Sequence, residues 1–124
     1  MMEKDDGKRA VDKDPGELNM DIYALAEIAE AAQIDVQKRC PLLDPIIGVS
    51  RALREAGFAV DLMTIDCWKS GKRITLLVND DQPGEVGYQQ GFRDRAPDTE
   101  FTPVAVDQLT VPQLSLWIRD YFSA

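Results

Sequence analysis

The side chains best suited to chemistry in this 124-residue chain lie between Leu62 and Asp81. Trp68 and Arg73 flank the turn Lys69-Ser70-Gly71-Lys72. An indole opposite a guanidinium can stack as a cation–π pair worth roughly 0.5–1 kcal/mol when exposed. Trp and Arg are also frequent anchors of protein interfaces. A two-residue hairpin loop at Ser70-Gly71 pairs Trp68 with Arg73, Asp66 with Thr75, Thr64 with Leu77, and Leu62 with Asn79. Leu62, Thr64, Asp66, Trp68, Arg73, Thr75 and Leu77 then share one face, a mixed surface suited to holding another polypeptide. These seven are the candidate partner-binding residues. Lys69, Lys72 and Arg73 put positive charge at the same tip, fitted to an acidic partner such as the first helix of a second copy, or simply solvated.

Asp66, Asp80 and Asp81 make a second candidate. Strand-end carboxylates can hold a divalent cation through oxygen, which would suit a small metal-dependent hydrolase. Acids ahead of Pro83-Gly84 are also ordinary turn formers. The nearest approach to the acid-x-lysine pattern of metal-dependent nucleases is Asp66-Cys67-Trp68-Lys69, with the lysine one position late and no glutamate beside it.

Other motifs exclude more than they assign. Gly84, Gly87 and Gly91 surround Tyr88 without the order of a phosphate loop or a dinucleotide fingerprint. Strand glycines mark bulges or close backbone approach. Cys40 and Cys67 have no C-x-x-C spacing and read as small buried hydrophobes. The chain has no histidine, which removes Ser-His-Asp and Cys-His catalysis and every His-containing metal site. No catalytic residue and no cofactor are expected.

Fourteen Lys and Arg against 22 Asp and Glu give a net charge of −8. Non-specific nucleic-acid binding needs the opposite sign, and anionic membrane surfaces are disfavoured likewise. No window is long and apolar enough to span a bilayer. The start, Met1-Met2-Glu3-Lys4-Asp5-Asp6, lacks the order of a signal peptide. Two cysteines are too few for a disulfide framework. Together these point to a cytoplasmic protein.

Residues 1–19 hold six acidic and four basic side chains with few apolar ones, which predicts a mobile tail ahead of a single domain over 20–124. The first helix is predicted from Asp21 to Arg39, with Ile22, Leu25, Ala29, Ala32 and Val36 as its buried stripe. Its outer face carries Asp21, Glu27, Glu30 and Asp35, and Pro41 ends it. A second helix is predicted between Asp44 as N-cap, Pro45 at the first position, and Gly57 as terminator. It would bury Ile46, Val49, Leu53 and Ala56, point Arg51, Arg54 and Glu55 outward, and pack Gly48 closely against a neighbour.

From Phe58 the apolar period becomes two. Strands are predicted over 58–68, 72–80, 86–92 and 101–106, the last at an edge because Pro103 removes a ladder donor. Met63, Ile65 and Cys67 face the core with Ile74, Leu76 and Val78. Phe58, Val60 and Leu62 have the opposite parity, which calls for a bulge near Leu62 or cover on both faces. A type II turn is expected at Pro83-Gly84. A closing helix follows Thr110, whose spacing to Gln113 suits a capping box, and its stripe is Val111, Leu114, Ile118 and Tyr121.

The fold class is α+β, a single domain ordered α-α-β-β-β-β-α, with an antiparallel meander and helices on one face. The functional expectation is a non-enzymatic interaction or regulatory domain, acting through the hairpin's outer face or the acidic first helix. Its partner is another protein or a second copy in a homodimer. Alternatives are an acidic neutraliser or chaperone of a basic toxin or effector, and the aspartate-based hydrolase.

Overall fold

Residues 20–124 are described by the structure, a computed structural model; the tail expected over residues 1–19 lies outside them. Helix α1 (Ile22–Arg39) begins where the Asp21 carboxylate accepts a hydrogen bond from the Ala24 amide at 2.8 Å. It buries Ile22, Leu25, Ala29, Ala32 and Val36, the stripe its spacing predicts. It stops at Cys40, as Pro41 requires.

The next segment differs from expectation. Pro45–Ser50 is strand β1, and only Ala52–Glu55 is helical, as the single turn α2. Ile46, Val49, Leu53 and Ala56, expected as a buried stripe, are exposed, Ile46 by 46% and Val49 by 50%. The physical reason lies in the run Pro-Ile-Ile-Gly-Val-Ser. Three β-branched residues and a glycine form helix poorly, and the neighbouring strand offers a full backbone ladder. Asp44 is not an N-cap; it takes a left-handed φ of 39° and turns the chain into β1. Proline is tolerated at Pro45 because it opens an edge strand.

Gly57 does terminate a helix. With φ at 103° it closes α2 in a Schellman arrangement, the Phe58 amide donating to Leu53 O at 2.9 Å and the Gly57 amide to Arg54 O at 3.0 Å. Gly48 is closely packed as expected, but within a strand: a Cβ there would lie 3.1 Å from Thr64 Oγ1.

Four more strands complete a five-stranded antiparallel meander: β2 (Val60–Cys67), β3 (Lys72–Asn79), β4 (Glu85–Phe92) and β5 (Thr102–Ala105). They pair in chain order with β1 and β5 at the edges. Pro103 sits on edge strand β5, as its missing amide demands. Helix α3 (Val111–Ser123) starts where Thr110 Oγ1 accepts from the Gln113 amide at 3.2 Å.

Helices α1 and α3 pack side by side against one face of the sheet. Between them and the sheet lie Leu25, Ala29, Met63, Ile65, Ile74, Leu76, Leu114 and Ile118, all fully buried. Trp117 of α3 packs on Tyr88 of β4, ring centroids 5.0 Å apart. Val111 and Tyr121 are only half-buried, while Ser115 and Phe122 are buried. Cys67 is buried, whereas Cys40 is half-exposed at the end of α1. The α+β meander with its helices on one face stands, and β1 adds a strand between the first two helices.

Register departs from expectation by two residues. The loop of the β2–β3 hairpin has four residues, Trp68 to Gly71, with the Gly71 amide donating to Cys67 O at 2.9 Å and Gly71 at φ 76°. Asp66 therefore faces Arg73, Thr64 faces Thr75, and Leu62 faces Leu77. A shift of two preserves side-chain parity, so the two faces hold the expected residues. No bulge interrupts β2, because Asp61, in phase with Met63, is buried on the helix side. Leu62 and Val60 simply share the other face. The turn at Pro83-Gly84 closes with the Glu85 amide on Gln82 O at 3.1 Å, but Gly84 lacks the positive φ of a type II turn. Among the described residues no helix is long and apolar enough to cross a membrane.

Candidate functional site

Both long helices cover one sheet face, and the opposite face is left to its own side chains. Strand β1 contributes Ile46, Gly48 and Ser50; β2 contributes Leu62, Thr64 and Asp66; β3 contributes Arg73, Thr75 and Leu77. Six of the seven predicted partner-binding residues are thus brought together here. At its centre Thr64 faces Thr75 and Leu62 faces Leu77, while Ile46 stands exposed beside Asp66.

Trp68 is the exception. The four-residue loop carries it out of the strand, leaving its side chain 66% exposed at the rim. It does not meet Arg73. The Arg93 guanidinium stacks over its ring instead, 4.3 Å from the centroid, and Nη1 and Nη2 donate to the carbonyls of Cys67 and Trp68 at 3.4 and 3.3 Å.

Arg73 is committed to its cross-strand neighbour. Its Nε and Nη2 donate to the two Asp66 carboxylate oxygens at 2.7 and 2.9 Å. That hydrogen bonding holds the Arg73 guanidinium above its ordinary pKa, outweighing the opposing effect of burial. Lys72 turns to the helix side and donates to Tyr121 O and Ala124 O at 3.0 and 2.6 Å, complementing the C-terminal end of α3. Only Lys69 of the three tip cations is without such a contact among the described residues.

The loop over residues 93–101 borders the face on its β4 side. Phe101 lies over Gly87, where a Cβ would come within 3.0 Å of its ring. Gln89 is buried beneath the loop and donates through Nε2 to Thr99 O at 2.6 Å. Gly87 is thus the close-approach position its strand setting suggested.

The carboxylates proposed for a cation are held apart. Asp66 sits opposite Arg73 and Asp80 lies seven residues further along that strand, roughly 20 Å away. Asp80 accepts from Arg54 Nη1 and Nη2 at 2.9 and 2.8 Å. At the turn that follows, the Asn79 side chain does the capping: its Oδ1 accepts from the Asp81 amide at 2.9 Å. Among the described residues no three His, Cys, Asp or Glu side chains gather to hold a metal ion.

A second polar cluster escaped the sequence reading. Asp61 is 2% exposed, and it accepts from Arg51 Nε and Arg54 Nε at 3.1 and 3.0 Å. Arg51 also donates to the Tyr23 hydroxyl at 2.9 Å. Arg51 and Arg54 therefore point toward the sheet, not outward. Burial pushes the Asp61 carboxyl up, but hydrogen bonds from Arg54 and Arg51 and their charges outweigh it and hold it below the usual range. Hydrogen bonds from Arg54 likewise lower Asp80. The signal available in sequence was an acid in phase with Met63, Ile65 and Cys67, which demands a buried partner. Asp35 was also misplaced: it leaves the outer face of α1 to accept from Ser115 Oγ of α3 at 2.5 Å.

The open face has hydroxyls and one neutralised ion pair, but no nucleophile beside a base. Its side chains offer apolar area at Ile46, Leu62 and Leu77 and hydroxyls at Thr64 and Thr75. No family model matches the chain, and neither the curated proteins nor the solved structures include a match.

Proposed function

We propose that this protein is a non-enzymatic interaction domain that self-associates through its helix-free sheet face. The supporting observation is a neutral, partly apolar face on a strongly acidic molecule. Across β1, β2 and β3 the face carries one acid and one base, Asp66 and Arg73, and these neutralise each other. Two molecules each of charge −8 repel least through such a surface. Ile46, Leu62 and Leu77 supply apolar area to bury, and Trp68 supplies a rim anchor.

Molar mass by light scattering tests this on the full chain. A concentration-dependent dimer is expected, with Trp68→Ala/Leu77→Ala weakening the association about tenfold or more. A wild-type monomer at high concentration, or a dimer indifferent to the double substitution, removes the proposal. The competing reading, a neutraliser of a basic protein, draws support from the net charge alone and would use exposed acids such as Glu27 and Glu30 of α1.

A further inference from the structure

At one corner of the open face, where β3 and β4 meet the 93–101 loop, the surface closes into a pocket of about 100 Å³. Arg73, Arg93 and Arg95 line it with Thr75, Gln89 and Gly91, and no Asp or Glu does. Three arginines around one small pocket are notable in a chain with eight more acids than bases. Two of the guanidiniums are held by polar contacts, and the third has only an aromatic neighbour. Asp66 fixes Arg73, Arg93 is stacked on Trp68, and Arg95 lies 4.0 Å from the Phe92 ring centroid. Yet donors remain unspent. Among the described residues Arg73 Nη1, Arg93 Nε and the whole Arg95 guanidinium make no hydrogen bond.

We infer that this pocket binds a phosphate dianion, free or as the end group of a phosphate monoester. Asp66 pairs with Arg73, and among the described residues Arg93 and Arg95 form no ion pair, so two guanidinium charges remain unpaired. A phosphate monoester carries about −1.5 to −2 at neutral pH, which matches them. Guanidinium forks fit phosphate oxygens in bidentate fashion, and the Thr75 hydroxyl adds a further donor. A carboxylate offers half the charge and two oxygens in one plane, too few for three separate forks. Because Asp66 already holds Arg73 and the Trp68 loop already holds Arg93, Arg95 is left to lose most of the side-chain freedom given up on binding. The inference does not depend on self-association, since a monomer presents the same pocket.

Titration calorimetry of the full chain with inorganic phosphate, phenyl phosphate and acetate tests it, with Trp68 fluorescence as a second readout through the stacked Arg93. Saturable binding of at least one phosphate compound is expected, with acetate at least about tenfold weaker. Arg95→Gln should weaken phosphate binding by about tenfold or more, the loss expected for one hydrogen bond to a charged group. Arg95 is exposed, so circular dichroism should show this variant folded. Arg93→Lys, which keeps the charge and loses the fork, should weaken binding as well. Tighter phenyl phosphate would identify an esterified ligand, and tighter inorganic phosphate the free ion. Binding of neither, acetate equal to phosphate, or an unchanged affinity in Arg95→Gln would each overturn the assignment.

Discussion

A carboxylate in phase with the core residues of β2 would be costly to bury alone, and Asp61 is tolerated because two arginines reach it. Arg51 and Arg54 keep their outer surfaces in water, so losing the carboxylate leaves them hydrated. Asp61→Asn is therefore expected to cost about 2 kcal/mol, the value of hydrogen bonds to a charged group rather than that of stranding a buried charge. The pH dependence follows from the depressed values. Asp61 is lowered by its arginines against its burial, Asp80 by hydrogen bonds from Arg54, and Asp35 by those from Ser115 and Arg39. Folding favours the ionised forms, so their contribution is complete above the unfolded value of about 4 and is lost as pH falls through the lower folded values. Urea midpoints should show Asp61→Asn less stable than wild type near pH 7 and closer to it near pH 3. An equal gap at both pH values would contradict this assignment.

At the scale of elements, β1 offers the sharpest test. A helix would bury Ile46, but the strand exposes it and turns Ile47 toward the core. Ile47→Ala is expected to cost about 2 kcal/mol and Ile46→Ala less than about 1 kcal/mol. Thermal or urea unfolding of the pair decides, and the reverse order would restore the helix. The Schellman turn after α2 depends on Gly57 at φ 103°. Gly57→Ala should cost about 1–2 kcal/mol, because a Cβ opposes that backbone conformation. The hairpin shows how far alternation reaches. Apolar parity excludes an odd-length loop, yet loops of two and four residues put the same side chains on the same faces. The Asp66–Arg73 pair separates them in the fold, since only the longer loop sets those two side by side.

The whole molecule is governed by its charge. At −8, two copies repel at a distance, and salt screens that repulsion. Self-association through the neutral face should therefore tighten as ionic strength rises. A neutraliser of a basic partner shows the opposite trend, with slower association as salt increases. Sedimentation velocity across a salt series separates the two: a dimer that dissociates on adding salt would count against the face proposed here.

Much of the architecture was legible in the residues. The stripe of α1, the cap at Thr110, the terminator at Gly57, the edge position of Pro103 and both faces of the β2–β3 hairpin follow from periodicity, side-chain capping and proline's missing amide. These are local rules, satisfied within a few residues of chain. Pairing decided what they left open. Pro45–Ser50 carries helix-like boundaries and strand-like residues, and only the edge of β2 fixes the outcome. Asp61, Arg51 and Arg54 draw their meaning from one another across the fold, as do Arg73, Arg93 and Arg95. The candidate face was half visible: alternation placed Leu62, Thr64, Asp66, Arg73, Thr75 and Leu77 together, but Ile46 joined them only through β1. Local propensity is summed along the chain, whereas strand partners, ion pairs and pockets depend on which distant residues the completed sheet brings into reach.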